Sequence, residues 1–385
     1  MGNIVGYFDN AATSYPKPSC VYDFADLMYR QCGGNPGRGA SPVAKRASAI
    51  AKETKNLLRE LFHCEGKQVV FTASATDALN RILLGLDLSQ GDYVYHTPFE
   101  HNAVTRPLHH IEQSGDARIE ILSFSEDTLQ PNMDAIEIQF KTHNPKCVVM
   151  THVSNVCGVV VPFSQIAKLA KLYDATVVLD MSQSAGLINI DLSSPLVDYA
   201  VFAGHKSLMG PFGIGGFVCD KNAILNPILF GGNGVNSIEQ EMPTEITKMT
   251  EVGSQNLYAI AGLHAAVEWI LSGGVDNLYA RESDNRDTLI SLLSHYENIR
   301  TVGISDVAEF GGVVSTVFEG YSPDEAEVIL GNMGVSVRAG LHCAPTAHRF
   351  LGTLPAGTVR FSVSALTNSN DFQLLENALN AIQEA

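Results

Sequence analysis

The sequence predicts an α/β protein: a mostly parallel sheet with helices on both faces, followed by a smaller α+β lobe. Three observations carry this. Between about residues 68 and 220, short β-type runs alternate with helical ones. The runs are apolar along most of their length, as strands buried on both faces are. Finally, 385 residues exceed what one hydrophobic core normally serves, so two closely packed lobes are expected.

The strand candidates are QVVFT (68–72), DYVYHT (92–97), ARIEILSF (117–124), CVVMTHV (147–153), ATVVLDM (175–181), YAVFA (199–203) and IGGFVCD (214–220). These would make a seven-stranded sheet. Between the first two, Leu79, Ile82, Leu83 and Leu86 recur at the spacing of a helix with one face on the sheet. A helix over about 256–272 carries Leu257, Ile260, Val267, Ile270 and Leu271 on one stripe and would lead into the second lobe. From about 275 the pattern reads helix, strand (VVSTVFEG), helix, strand (VSVRAG), short helix, strand (TVRFSVS), helix. The last helix has Phe372, Leu375, Leu379 and Ile382 in register. We expect a large domain over residues 15–260 and a small one made of 1–14 and 261–385.

Composition excludes several classes of function. Net charge is −16, and the 25 Lys and Arg residues form no stripe, so a nucleic-acid partner has no electrostatic support. No apolar run approaches the ~20 residues of a membrane helix, and MGNIVGYFDN lacks a signal-peptide core, so a cytoplasmic location is expected. Seven cysteines without a CxxC pair argue against a disulfide framework or a structural zinc site and leave room for a working thiol. Cys147 and Cys219 stand in apolar runs where cysteine behaves as a small hydrophobe.

In VFAGHKSLMGPFGIGG, Lys206 stands just beyond an apolar strand and before a glycine-rich stretch, as a Schiff-base lysine would; a solvated surface lysine fits the segment as well. One strand back, ATVVLDMSQSAG ends with Asp180, followed by Gln183. A carboxylate there either caps a turn or faces a cation such as a protonated pyridinium nitrogen. The stretch VVFTASATDALN runs strand, small residues, helix, so the backbone N–H groups of 75–77 would point at an anion such as phosphate. Thr76 reads either as a donor to that anion or as the helix cap.

Taken in order, FDNAAT (8–13), FTASATDALN (71–80), EHNAV (100–104), SNVCG (154–158), DMSQSAG (180–186), GHK (204–206), RAGLHCAP (338–345) and TVRFS (358–362) resemble the cysteine desulfurases of the class V aminotransferase superfamily. The resemblance spans nearly the whole chain. It implies the fold of the type I pyridoxal-phosphate (PLP) transferases, with PLP as cofactor. It further implies that Lys206 holds PLP, His101 stacks on its ring, Asp180 pairs with the ring nitrogen and Gln183 bonds the ring oxygen. Thr76 and His205 would hold the phosphate, with the backbone at Ala75. Asn155 would lie beside ring and substrate, and Arg360 would grip the substrate carboxylate, with Asn10 and Arg338 also on the substrate side. Ser254, in EVGSQN, matches the position from which the family's second subunit lends a hydroxyl, so a homodimer is implied. Ala75 and Ala203 depart from the family by lacking hydroxyl groups, which puts two phosphate donors in doubt.

Cys343 lies in RAGLHCAP, which resembles the short catalytic loop of the type II desulfurases and the selenocysteine lyases. Arg338, His342 and a helix starting at Pro345 would each favour a thiolate there. A metal site from His342, Cys343 and His348 lacks a fourth ligand. The resemblance implies a sulfurtransferase: L-cysteine becomes L-alanine, sulfur passes to Cys343 as a persulfide, and a sulfur-acceptor protein collects it, with His101 shuttling protons. Iron–sulfur cluster assembly is one destination for such sulfur. The alternatives are a selenocysteine lyase using the same site, an aminotransferase, or a non-catalytic scaffold.

Overall fold

The computed structural model of the chain describes residues 5–36, 39–232, 234 and 238–383. The chain opens with β1 (Gly6–Tyr7), α1 (Ser19–Cys32) and α2 (Pro42–Leu61). The alternating region follows as β2 (Gln68–Thr72), α3 (Ala75–Leu83), β3 (Asp92–His96), α4 (Asn102–Ser114), β4 (Ala117–Ile121), α5 (Met133–Thr142), β5 (Pro145–Thr151), α6 (Phe163–Lys171), β6 (Thr176–Asp180), β7 (Tyr199–Ala203) and β8 (Gly215–Cys219). Next come α7 (Ile246–Thr250), α8 (Leu257–Gly273) and α9 (Val275–Leu293). The rest is β9 (Ile299–Val302), β10 (Val313–Phe318), α10 (Pro323–Asn332), β11 (Val335–Ser336), β12 (Arg338–Gly340), α11 (Pro345–Phe350), β13 (Thr358–Ser362) and α12 (Ser369–Gln383).

All seven expected strands form one sheet, ordered β2-β8-β7-β6-β5-β3-β4. β3 to β7 run parallel, and β8 runs against both of its neighbours. Side chains alternate across a strand, so the sheet feeds two cores. Val148 and Met150 of β5 join the core under α2, α6 and α8, while Cys147 and Val149 join the core under α3 and α4. Cys147 and Cys219 are fully buried, as their apolar runs led us to expect.

A second sheet, β12-β13-β10-β9, is antiparallel throughout. Its core holds Leu289, Val314, Leu330, Phe361, Leu375 and Ile382, and Phe8 from the N-terminus is buried among them. β1 pairs with β11, and Asp9 bridges to Ser362, so the first residues cross to the C-terminal sheet.

Three details depart from the sequence reading. α8 is buried on nearly every side, not along one stripe, because α1 and α2 pack against it. β4 lies at the sheet edge and alternates toward solvent, so ARIEI is not the buried run its composition implied. β9 was not foreseen: IRTV is short and lies at the edge of the second sheet, with Arg300 exposed and only Val302 buried. The parallel strands β3, β5, β6 and β7 end on one side of the large sheet, where ligands bind in open α/β folds.

Candidate active site

A cleft of about 220 Å³ opens at those strand ends. At one end stands the N-terminus of α3. Its cap is Ser74, whose hydroxyl accepts from the Asp77 N–H at 3.1 Å, so Thr76 is not the cap, and it lines the cleft. The Asp77 N–H is therefore taken, and the anion-binding amides narrow from 75–77 to 75 and 76. Gly215 of β8 permits this arrangement: a Cβ there would lie 2.6 Å from the Ser74 carbonyl carbon and 2.7 Å from the Ala75 nitrogen. His205 lines the same end, with its ring stacked on Phe212 at 4.7 Å. Its Nδ1 is buried and has no partner among the described residues.

The middle of the cleft is set by the next strand ends. Asp180 closes β6 at 5% exposure, and its Oδ1 accepts from the Ser182 N–H at 2.9 Å and from the Ser182 hydroxyl at 2.5 Å. Lys206 follows β7. Burial pulls its ammonium down to about 8; Asp180 opposes that shift, and Arg360 and Arg338 add to it. His101 caps α4, with Nδ1 accepting from the Ala103 N–H at 3.0 Å. Its remaining proton is therefore on Nε2 when the ring is neutral. Burial, then Lys206, hold the ring down to about 4, so it is neutral at pH 7. Gln183 donates to the Ala11 carbonyl at 2.8 Å, which lays the N-terminal segment across the cleft. Thr13 and Lys17 anchor that segment on the His205 carbonyl at 2.9 and 3.1 Å.

The far wall comes from the second sheet. Arg338 of β12 and Arg360 of β13 are cross-strand partners, and both line the cleft. Arg360 is 1% exposed; it donates to Asp9 Oδ1 at 2.7 Å and to the Asn155 carbonyl at 3.0 Å, and its Nε has no partner among the described residues. Arg338 donates to the Cys343 sulfur at 3.3 Å.

Cys343 itself sits in a strained turn. His342 has φ +48° and Cys343 φ +58°, a region that costs a non-glycine residue roughly 1–2 kcal/mol. Two hydrogen bonds hold the turn: Asn155 Nδ2 donates to the His342 carbonyl at 2.8 Å, and the Asn102 N–H donates to the Cys343 carbonyl at 2.6 Å. His342 does not serve the thiol. The Thr358 hydroxyl donates to Ser315 and Ser315 donates to the Val156 carbonyl, so His342 Nε2 must be the donor to Thr358. Burial and Arg360 drive its ring down to about 2. A neutral ring turned away offers the sulfur no positive charge, whereas Arg338 is in contact with it and α11 starts two residues on at Pro345.

Ala75, Thr76, His101, Asn155, Asp180, Gln183, His205, Lys206, Arg338 and Arg360 thus meet in one cleft, with Cys343 at its Arg338 edge. Two expected residues do not. The Asn10 amide bonds the Tyr7 and Ser362 carbonyls and the Tyr15 N–H, which holds the N-terminal turn and keeps it out of the lining. Ser254 lines a separate cavity beside Thr72 and Asp77, behind the α3 N-terminus. Sequence reasoning missed Ser74, Ser182 and Asp9, each inside a quoted motif: the partners of Ser74 and Ser182 are three and two residues away, where a cap or turn pattern could have shown them, whereas Asp9 meets Arg360 351 positions away.

The profile of the aminotransferase class-V family matches residues 6–375. The chain belongs to that family. It is 30% identical over 391 residues to a probable cysteine desulfurase of Aeropyrum pernix, covering 98% of this chain and 94% of that one. It is 29% identical to a probable cysteine desulfurase of Pyrococcus abyssi, covering 98% and 93%. The apo structure of a cysteine desulfurase from Thermococcus onnurineus superposes with a TM-score of 0.90 at 26% identity, covering 99% of this chain and 95% of that one. The superposition bears out the expected fold, a large α/β sheet domain with a smaller lobe. The family is PLP-dependent, and the cleft fits PLP: amides 75 and 76 are open to a phosphate, Asp180 offers a buried carboxylate to a ring nitrogen, and Lys206 is an amine of lowered pKa in the same lining.

The buried histidines set the acid stability of the apoprotein. Burial lowers His101, His152, His205 and His348 to about 4 and His342 to about 2. Unfolded, each titrates near its ordinary ~6.5. Below that pH the unfolded chain takes up protons that the folded chain refuses, so stability is lost as pH falls. Glu100 and Glu282, raised to about 8 and about 7, act in the opposite direction but are fewer. The urea midpoint should be lower at about pH 5 than at about pH 6.5, by at least ~1 kcal/mol in unfolding free energy. An equal or higher midpoint at about pH 5 contradicts these assignments.

Proposed function

We propose that the chain is a PLP-dependent cysteine desulfurase, converting L-cysteine to L-alanine with transfer of the sulfur to Cys343 as a persulfide. The observation that carries the reading is a thiol, in contact with an arginine, at the edge of a cleft that also holds Lys206 and Asp180. The relatives described as cysteine desulfurases over nearly their whole length support cysteine over selenocysteine as substrate.

Lys206 would hold PLP, Asp180 would face its ring nitrogen, Gln183 its ring oxygen and His101 its ring. Thr76, His205 and the amides of Ala75 and Thr76 would take the phosphate; Ala75 and Ala203 lack hydroxyls, so backbone donors carry more of the binding. Bound PLP supplies an electron sink for negative charge at the substrate Cα. Arg360 holds the substrate carboxylate through the part of its fork that Asp9 and Asn155 leave open, and Arg338 adds positive charge beside it. Once the substrate amine has taken its place on the cofactor, the freed Lys206 amine, uncharged in part near neutral pH, would take the Cα proton. The Cys343 sulfur attacks the substrate sulfur: an S–S bond forms, the substrate C–S bond breaks, and its electron pair stays with the carbon fragment. That fragment gains protons through Nε2 of His101 and leaves as alanine. Arg338, in contact with the Cys343 sulfur, would steady negative charge there before the attack, and the half-exposed position of Cys343 leaves the persulfide within reach of an acceptor protein.

Ser254 lies outside the cleft of its own chain, and we assign it to the phosphate of a second copy in a homodimer. Tyr22, Leu27 and Tyr29 on α1 and Tyr258 on α8 are exposed apolar groups that such an association would cover. No helix among the described residues is long and apolar enough to cross a membrane. We propose a cytoplasmic location.

Lys206→Ala should abolish the visible absorption of bound PLP, and Cys343→Ala should keep that absorption while lowering alanine formation from cysteine by at least ~10²-fold. Parental turnover without Cys343 would remove it as nucleophile. If the dimer is as proposed, sedimentation should give twice the chain mass, and Ser254→Ala should weaken PLP retention on dialysis; a monomer with full retention contradicts it.

A further inference from the structure

Glu100 is a buried acid that the mechanism does not use. It is 0% exposed and precedes His101 in the turn between β3 and α4. Its Oε1 accepts from the Thr97 hydroxyl at 2.6 Å and from the Thr151 N–H at 2.7 Å. Thr151 ends β5 and is the register partner of Asp180 on β6. The other oxygen, Oε2, is buried with no partner, and no cation pairs with Glu100 among the described residues. The same turn also reaches the thiol loop. The Asn102 N–H bonds the Cys343 carbonyl at 2.6 Å, and the Thr346 hydroxyl donates to the Glu100 carbonyl at 3.4 Å.

An isolated carboxylate in such a place would be costly; a carboxylic acid that accepts at Oε1 and carries its proton on the unpartnered Oε2 leaves one unpaired donor and costs less. Burial raises its pKa to about 8, and the nearby negative charge of Asp180 adds to the rise.

We propose that Glu100 is a positioning residue that works as an uncharged acid: it ties the β3–α4 turn to the end of β5, and so fixes His101 over the cleft and the Asn102 amide on the Cys343 loop. Being neutral, it adds no second negative charge beside Asp180. The proposal rests on the reading of the cleft as that of a PLP-dependent desulfurase.

The test compares the parent holoenzyme with Glu100→Gln and Glu100→Leu. The amide keeps a neutral acceptor for Thr97 and Thr151; leucine keeps the bulk and removes the acceptor. We expect Glu100→Gln to retain kcat within about threefold and to leave the visible absorption maximum of bound PLP in place at about pH 7. We expect Glu100→Leu to lose at least about tenfold in kcat with KM for L-cysteine little changed, since Arg360 is untouched. Should the leucine variant fail to fold, Thr97→Val, which removes one donor and leaves the carboxyl, is expected to slow turnover as well. Glu100→Gln as slow as Glu100→Leu, or a moved absorption maximum in Glu100→Gln, would show that charge is required. Parental kcat in Glu100→Leu, or in Thr97→Val where that stands in, would show that the tie does nothing; either result overturns the proposal. A parent protein that bound no PLP or made no alanine would instead remove the functional reading on which it rests.

Discussion

The cleft depends on one constraint: like charges held close together away from water. Lys206, Arg338 and Arg360 line it together. Burial first, and then the two arginines, disfavour the charged amine of Lys206, which is the form a nucleophilic or basic lysine must give up. Asp180 and Asp9 offset part of that charge, Asp9 through a direct bond to Arg360. What remains is a positive cleft with donors left over, suited to a phosphate at one end and a carboxylate at the other. Every neighbouring titratable ring is kept neutral, so proton traffic has few alternative stops.

The second constraint is mechanical. The thiol belongs to the second sheet's lobe while Lys206 and Asp180 belong to the large sheet, so sulfur chemistry needs the two lobes in fixed register. The bonds from Asn155 and Asn102 to successive carbonyls of the Cys343 turn supply this, together with the N-terminal segment that Gln183 and His205 clamp across the cleft. The left-handed conformation at His342 and Cys343 persists because these contacts over-determine it. The His342 ring, running through Thr358 and Ser315 to the Val156 carbonyl, buttresses the turn from behind.

Much of this was legible in the sequence. Apolar strand runs set the large sheet, and residues just past strand ends, Asp180 and Lys206 above all, fell at the rim where a parallel sheet gathers ligands. Patterns of period two and 3.6 report one element against its own surroundings, so they could not reveal that α8 is enclosed on nearly every side or that IRTV pairs as an edge strand. Side-chain partners hundreds of residues apart were equally invisible. His342 looked like a helper of Cys343 because it adjoins it in the chain, yet a left-handed turn points it to Thr358. Asn10 looked like a substrate contact, yet its amide closes the turn it belongs to.

The most direct check on the account is to follow the sulfur. After the PLP-loaded protein reacts with a limiting amount of L-cysteine and no acceptor, mass spectrometry of its peptides should find one added sulfur atom on Cys343 for each alanine released. Alanine formed while Cys343 stays unmodified, or sulfur carried by another of the seven cysteines, would contradict it.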